Sequence, residues 1–159
     1  MEKVLGIIAE YNPFHNGHFY HLKESIKKSN SDYVVSIIGN NFTQRGDVSI
    51  IDKWTKTKIA LENGVDLVLE LPSIYSTSCA ENFAYGAISI LDSLKIIDYL
   101  SFGSESGCID DIKEVSHTMN NQDKNSDFSK YLKEELSKGV SYPKARKISF
   151  RKNFRWKIW

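Results

Sequence analysis

The chain has 159 residues, 41% hydrophobic and 26% charged, which is the composition of one globular domain with room for a core. No apolar run is long enough to span a bilayer, and Met1-Glu2-Lys3 passes straight into a short apolar run instead of a signal peptide, so a cytoplasmic protein with no membrane partner is expected. The formal net charge of +1 conceals an uneven distribution: the first 135 residues hold all 20 acidic and 13 of the 21 basic residues, while Leu136 to Trp159 holds eight basic residues and no acidic one.

Val4-Leu5-Gly6-Ile7-Ile8 reads as a buried strand, and Glu10-Tyr11-Asn12-Pro13-Phe14-His15-Asn16-Gly17-His18 as the tight loop that carries it into a helix. A helix start offers unpaired N–H groups and the positive end of the peptide dipoles, and Gly17 permits close approach to the backbone, so this junction suits a phosphate. His15 and His18 place two imidazoles there, each able to donate to a phosphate oxygen. Alternatives are a solvent-facing and a helix-capping histidine, or a metal held by His15, His18 and His21. Spacing disfavours metal, because no Cys, Asp or further His lies nearby to complete a set.

Phe19, Leu22 and Ile26 then recur at helical spacing up to Lys28. Tyr33 to Ile38 is a β-branched run and a second strand, followed by a polar loop through Gln44-Arg45-Gly46. In a parallel sheet that loop leaves by the same edge as the histidine loop, so Arg45 either faces the phosphates or is a solvated surface arginine. Asp52 caps a second helix whose packing face is expected from Trp54, Ile59, Ala60 and Leu61, ending at Asn63-Gly64. Val65 to Leu71 is a third strand with Glu70 near its end, either a site residue or a strand-end charge. A loop from Ser73 to Ser78 follows, then a helix through Leu91. Ile96 to Phe102 is a fourth strand running into Gly103-Ser104-Glu105-Ser106-Gly107, a small loop against which a base or ribose fits. Asp110 to Met119 and Ser126 to Ser137 read as further helices. Cys79 and Cys108 are expected to be reduced packing residues.

Strand alternating with helix four times specifies an α/β fold, a Rossmann-like open parallel sheet with helices on both faces. Neither Gly-x-Gly-x-x-Gly after the first strand nor a P-loop is present. His15-Asn16-Gly17-His18 instead resembles the His-x-Gly-His signature of the nucleotidyltransferase superfamily that includes class I aminoacyl-tRNA synthetases.

Glu10 to His18, Gln44-Arg45-Gly46, Asp52-Lys53-Trp54, Asp66 to Pro72, Phe102-Gly103-Ser104-Glu105 and Lys138 to Arg146 resemble, in order, the motifs of the bacterial tRNA(Met) cytidine acetate ligase family. The resemblance implies ATP as substrate, with Mg²⁺ expected from phosphate chemistry. It further implies activation of acetate as acetyl-adenylate and acetylation of the wobble cytidine of elongator tRNA(Met). It places the ATP-binding segment at Ile8, Ala9, Glu10, Tyr11, Asn12, Pro13, Phe14, His15, Asn16, Gly17, His18, Phe19, Tyr20 and His21, with Gly103 a further contact and His15 and His18 acting on the phosphates. A nucleotidyltransferase-like ATP-binding domain is therefore expected over residues 1–147. Family members run longer, and residues 148–159 form a basic aromatic tail that matches nothing in them and is expected not to be a native element. That departure implies a truncated form with reduced or no activity. Other readings are a small-molecule nucleotidyltransferase and a non-catalytic nucleotide- or RNA-binding fragment, the tail pairing phosphate contacts with base stacking.

Overall fold

The computed structural model describes residues 2–104, 107–120 and 127–153. The chain divides into two compact units, Met1–Gly103 and Ser104–Trp159, where a single domain to Lys147 is expected from the sequence.

In the first unit, β1 (Val4–Ala9), α1 (Asn16–Ser29), β2 (Tyr33–Ile38), α2 (Lys53–Glu62), β3 (Leu67–Glu70), α3 (Ser73–Ser76), α4 (Ala80–Leu94) and β4 (Tyr99–Ser101) follow in order. The strands form one parallel sheet in the order β3-β2-β1-β4. Side chains alternate across each strand, so the sheet buries a different set on each face. Leu5, Ile7, Val34 and Ile38 pack with Leu22 of α1 and Ala60 of α2, while Val35 and Ile37 pack with Ala87 and Leu91 of α4. The open parallel sheet covered on both faces is the architecture expected. The chain moves outward from β1 to β2 and β3, then returns to the other side of β1 for β4. That reversal puts the topological switch point between β1 and β4, where the crevice beyond the carboxyl ends of the strands opens.

Register is fixed at the opposite edge by one device used three times. Asp32, Asp66 and Asp98 stand just before β2, β3 and β4. Each backbone N–H donates to a carbonyl of the neighbouring strand (Lys3, Val34 and Val4), and each carboxylate accepts from that same residue's N–H at 2.7–2.8 Å. A charge-assisted pair at each strand start sets which residues meet at the far end, and so aligns the loops that leave it.

Four expectations change. The buried positions of α2 are Lys56 and Ala60, whereas Trp54 is 74% exposed and Leu61 is exposed. The helix places Lys56 and Ala60 on one stripe, and the lysine tip is satisfied by polar groups, which hydrophobic spacing alone does not register. The edge strands β3 and β4 are shorter than the apolar runs that contain them, because each has one neighbour to pair with. Part of the loop after β3 is the short helix α3. Cys79, expected in the packing, is exposed just before α4, and Cys108 is half-buried.

The second unit contains α5 (Ile109–Asn120), α6 (Asp127–Ser137) and α7 (Tyr142–Asn153). Phe128 of α6 and Ala145 of α7 are buried, and α6 packs on α7. The expected boundary at Lys147 falls inside α7, where Ser149 is fully buried and its hydroxyl donates to the Ala145 carbonyl at 2.8 Å. Residues 154–159, with most of the aromatic tail, lie outside the described residues.

Candidate functional site

The chain leaves β1 through Tyr11, whose backbone is left-handed at φ 47°, a costly conformation for a bulky side chain. The turn sends the Tyr11 ring into the core below the start of α1. There it meets Phe14 at 4.8 Å and the edge of the His18 ring at 5.1 Å. Burial pushes the Tyr11 phenol up, with the Ser36 hydroxyl opposing.

His15 is the N-cap of α1, with extended backbone, and its Nδ1 accepts from the Gly17 N–H at 3.1 Å. Its own N–H reaches back to Nδ1 of His18 at 3.4 Å. This is a capping box made of two histidines, for which the spacing of three is the required one. The two rings stack with centroids 3.8 Å apart, at 22°. A nitrogen that accepts an N–H must present its lone pair, so both neutral imidazoles carry their proton on Nε2. The first turn of α1 holds no acidic residue, leaving the positive helix end uncompensated within the turn.

Glycine at position 17 leaves room for the capping ring. A Cβ there would lie 3.0 Å from Cε1 and 3.1 Å from Nδ1 of His15, so the space above the glycine is taken by the imidazole that caps the helix.

Burial holds His18 below the ordinary histidine value of 6.5, helped by the neighbouring imidazoles of His15 and His21, with a smaller opposing effect from the Pro13 backbone. His21 is lowered by burial alone. Both are therefore neutral at pH 7. His21 lies one turn beyond His18, and its Nε2 is 3.1 Å from the Ser101 hydroxyl at the end of β4. That contact joins the two sides of the switch point and holds the histidine helix beside the loop of Gly103. At Gly103 an added Cβ would meet nothing within 4 Å, so its surroundings are open.

The loop after β2 is tied to the segment after β1. The Gln44 N–H donates to Glu10 Oε1 at 2.5 Å, and the Ile50 N–H donates to Asn12 Oδ1 at 2.7 Å. Beneath it, Lys56 is 1% exposed and donates to the Asn40 carbonyl at 2.9 Å and the Ser49 hydroxyl at 2.7 Å. Burial lowers Lys56, with Glu10 opposing. Arg45 is exposed at the tip of this loop, without a carboxylate partner among the described residues. Glu70 is paired with Lys53 at 2.7 Å, which favours its reading as a strand-end charge. Among the described residues, no three His, Cys, Asp or Glu side chains gather as a metal set.

Lys56, Ser25 and Ser101 escaped the sequence analysis. A lysine at helical spacing from alanine, and serines in a helix and a strand, carry no signal until the chain is folded.

A His-bearing helix start at the switch point of a parallel sheet defines a nucleotidyltransferase type of site. The family model described as HIGH Nucleotidyl Transferase matches residues 1–157, and the chain belongs to that family. Within it, the chain is 50% identical over 147 residues to the tRNA(Met) cytidine acetate ligase of Caldanaerobacter subterraneus subsp. tengcongensis, covering 92% of this chain and 36% of that protein. It is 54% identical over 143 residues to the ligase of the same name from Clostridium novyi, covering 90% and 35%. The crystal structure of Thermotoga maritima TmcAL bound with alpha-thio ATP superposes with a TM-score of 0.87 at 43% identity, covering 96% of this chain and 36% of that one. The chain thus spans about a third of the length of the curated relatives it matches. No helix among the described residues is long and apolar enough to cross a membrane.

Proposed function

We propose that this chain carries the ATP-binding and acetate-activating half of a tRNA(Met) cytidine acetate ligase. The observation that carries the proposal is the two-histidine capping box at the switch point. It commits Nδ1 of each imidazole to a backbone N–H, leaving Nε2–H as the donor, beside a helix end that favours anions. The likeness to an ATP-bound relative supports the same ligand here.

In this reaction an oxygen of acetate attacks the α-phosphorus of ATP, forming the bond to acetyl-adenylate, while the bond to pyrophosphate breaks. The exocyclic amine of the wobble cytidine then attacks the acetyl carbon, AMP leaves, and the amine loses a proton. Neither step needs a nucleophile on the protein. The chain contributes position and donors toward the growing negative charge, which are strongest where water is excluded. His15 and His18 supply these donors through Nε2–H, the Gly17 N–H being given to His15 Nδ1, and the segment Ile8 to His21 with Gly103 encloses the nucleotide. Mg²⁺ accompanying ATP would be held by phosphate oxygens, since the described residues offer no ligand set of their own.

Acetate-dependent exchange of pyrophosphate into ATP tests the first half. Exchange that proceeds without acetate, or with a phosphorylated small acceptor in its place, replaces this reading with a small-molecule nucleotidyltransferase. Mass spectrometry of tRNA(Met) nucleosides tests the second. Acetylcytidine at the wobble position supports the second step, and acetate-dependent exchange without it confines the reading to acetate activation.

A further inference from the structure

Three hydroxyl and imidazole groups close a ring across the switch point. Ser25 Oγ donates to the His21 carbonyl at 2.6 Å, Ser25 Oγ and Ser101 Oγ are 2.6 Å apart, and Ser101 Oγ is 3.1 Å from His21 Nε2. The protons in this ring can be assigned. A carbonyl only accepts, so the single Ser25 proton is spent on it, and Ser101 must be the donor to Ser25. The Ser101 proton is then also spent, so toward His21 Ser101 can only accept. His21 Nε2 therefore carries a proton and donates it to the end of β4.

We propose that His21 is a positioning residue, not a phosphate ligand: its Nε2–H is committed to Ser101 and pins the end of β4 to the helix that carries His15 and His18. Ser101 is two residues before Gly103, so the pin sets where the loop after β4 stands relative to the histidine pair. The inference rests on ATP binding at His15 and His18 for its consequence, but the pin itself exists without ligand.

Two measurements separate the inference from that reading. On the ligand-free chain, nitrogen NMR at pH 8 should find neutral His21 protonated at Nε2 alone, and Ser101→Ala should disturb that state. ATP affinity by calorimetry should fall roughly three- to tenfold in His21→Phe and in Ser101→Ala, the size of one neutral hydrogen bond. The double variant should be no weaker than Ser101→Ala, because that change already removes the His21–Ser101 bond along with the bond to Ser25. His21→Gln, whose amide N–H can reach the same acceptor, should restore most of the affinity. His21 protonated at Nδ1, additive losses, or wild-type affinity in Ser101→Ala would overturn the pin. If His21→Phe fails to fold, His21→Gln and Ser101→Ala still decide. Wild-type protein that binds no ATP while His21 keeps its Nε2 proton would refute the ATP reading and leave the pin standing.

Discussion

Gly17→Ala separates what the histidine cap does for the helix from what it does for a ligand. The added Cβ arrives 3.0–3.1 Å from the His15 ring, a few tenths of an ångström too close. His15 is exposed, so its ring can swing into solvent, losing the 3.1 Å bond from the Gly17 N–H and the 3.8 Å stack on His18. For stability the effects oppose each other. Losing an N-cap costs about 0.5–2 kcal/mol, and replacing glycine by alanine within a helix returns up to about 1 kcal/mol. The net change should stay within about 1 kcal/mol. For ATP nothing offsets the loss if, as proposed, the His15 imidazole donates to the phosphates. A hydrogen bond to a charged group is worth about 1.5–3 kcal/mol, which corresponds to roughly a 10- to 150-fold weaker dissociation constant. Urea unfolding and calorimetric titration with ATP, on the same preparation, read the two quantities. Affinity within twofold of wild type, with normal stability, would refute the reasoning that Gly17 exists to seat His15.

Other outcomes follow from the same geometry. His18 and His21 have lowered values in the folded state, so between those values and about 6.5 the unfolded chain binds more protons. Stability should be full above pH 6.5 and fall as the pH drops below it, and a His18→Gln, His21→Gln double variant should flatten the fall in melts from pH 8 to pH 5. Lys56→Ala empties a buried site and removes the lysine donor from the Asn40 carbonyl and Ser49 hydroxyl, so it should destabilise by about 2–4 kcal/mol in urea unfolding; a change below 0.5 kcal/mol would show that the lysine is dispensable. Gly86→Ala would put a Cβ 2.4 Å from Cγ of Tyr75, forcing α3 off α4, and should cost about 1–3 kcal/mol despite the better helix propensity, as read from the melting temperature. A chain ending at Lys147 cuts α7 before the buried Ser149 and should melt below the full chain, and an unchanged melt would show that the last turns of α7 contribute nothing.

Much of this molecule follows from local physics that the sequence displays. The runs Val4 to Ile8 and Tyr33 to Ile38 are largely apolar on both faces, short and β-branched, as a buried parallel strand requires, and they are the two central strands of the sheet. Asp52 and Asn63-Gly64 bound α2 because capping depends on residues within one turn. His-Asn-Gly-His marks the candidate site because a helix start, a glycine and two imidazoles within four residues are all local features.

The tertiary structure decided whatever depends on partners distant along the chain. Lys56 is buried because Asn40 and Ser49, 16 and 7 residues away, come to meet its charge. Trp54 is left in solvent because the sheet lies against the opposite side of its helix. His21 became the link between α1 and β4 only when Ser101, 80 residues later, was delivered beside β1 by the parallel pairing of Leu5, Gly6 and Ile7 with β4. Hydrogen-bond partners that far apart leave no periodic trace in a sequence, because strand order and register, and not spacing, bring them together.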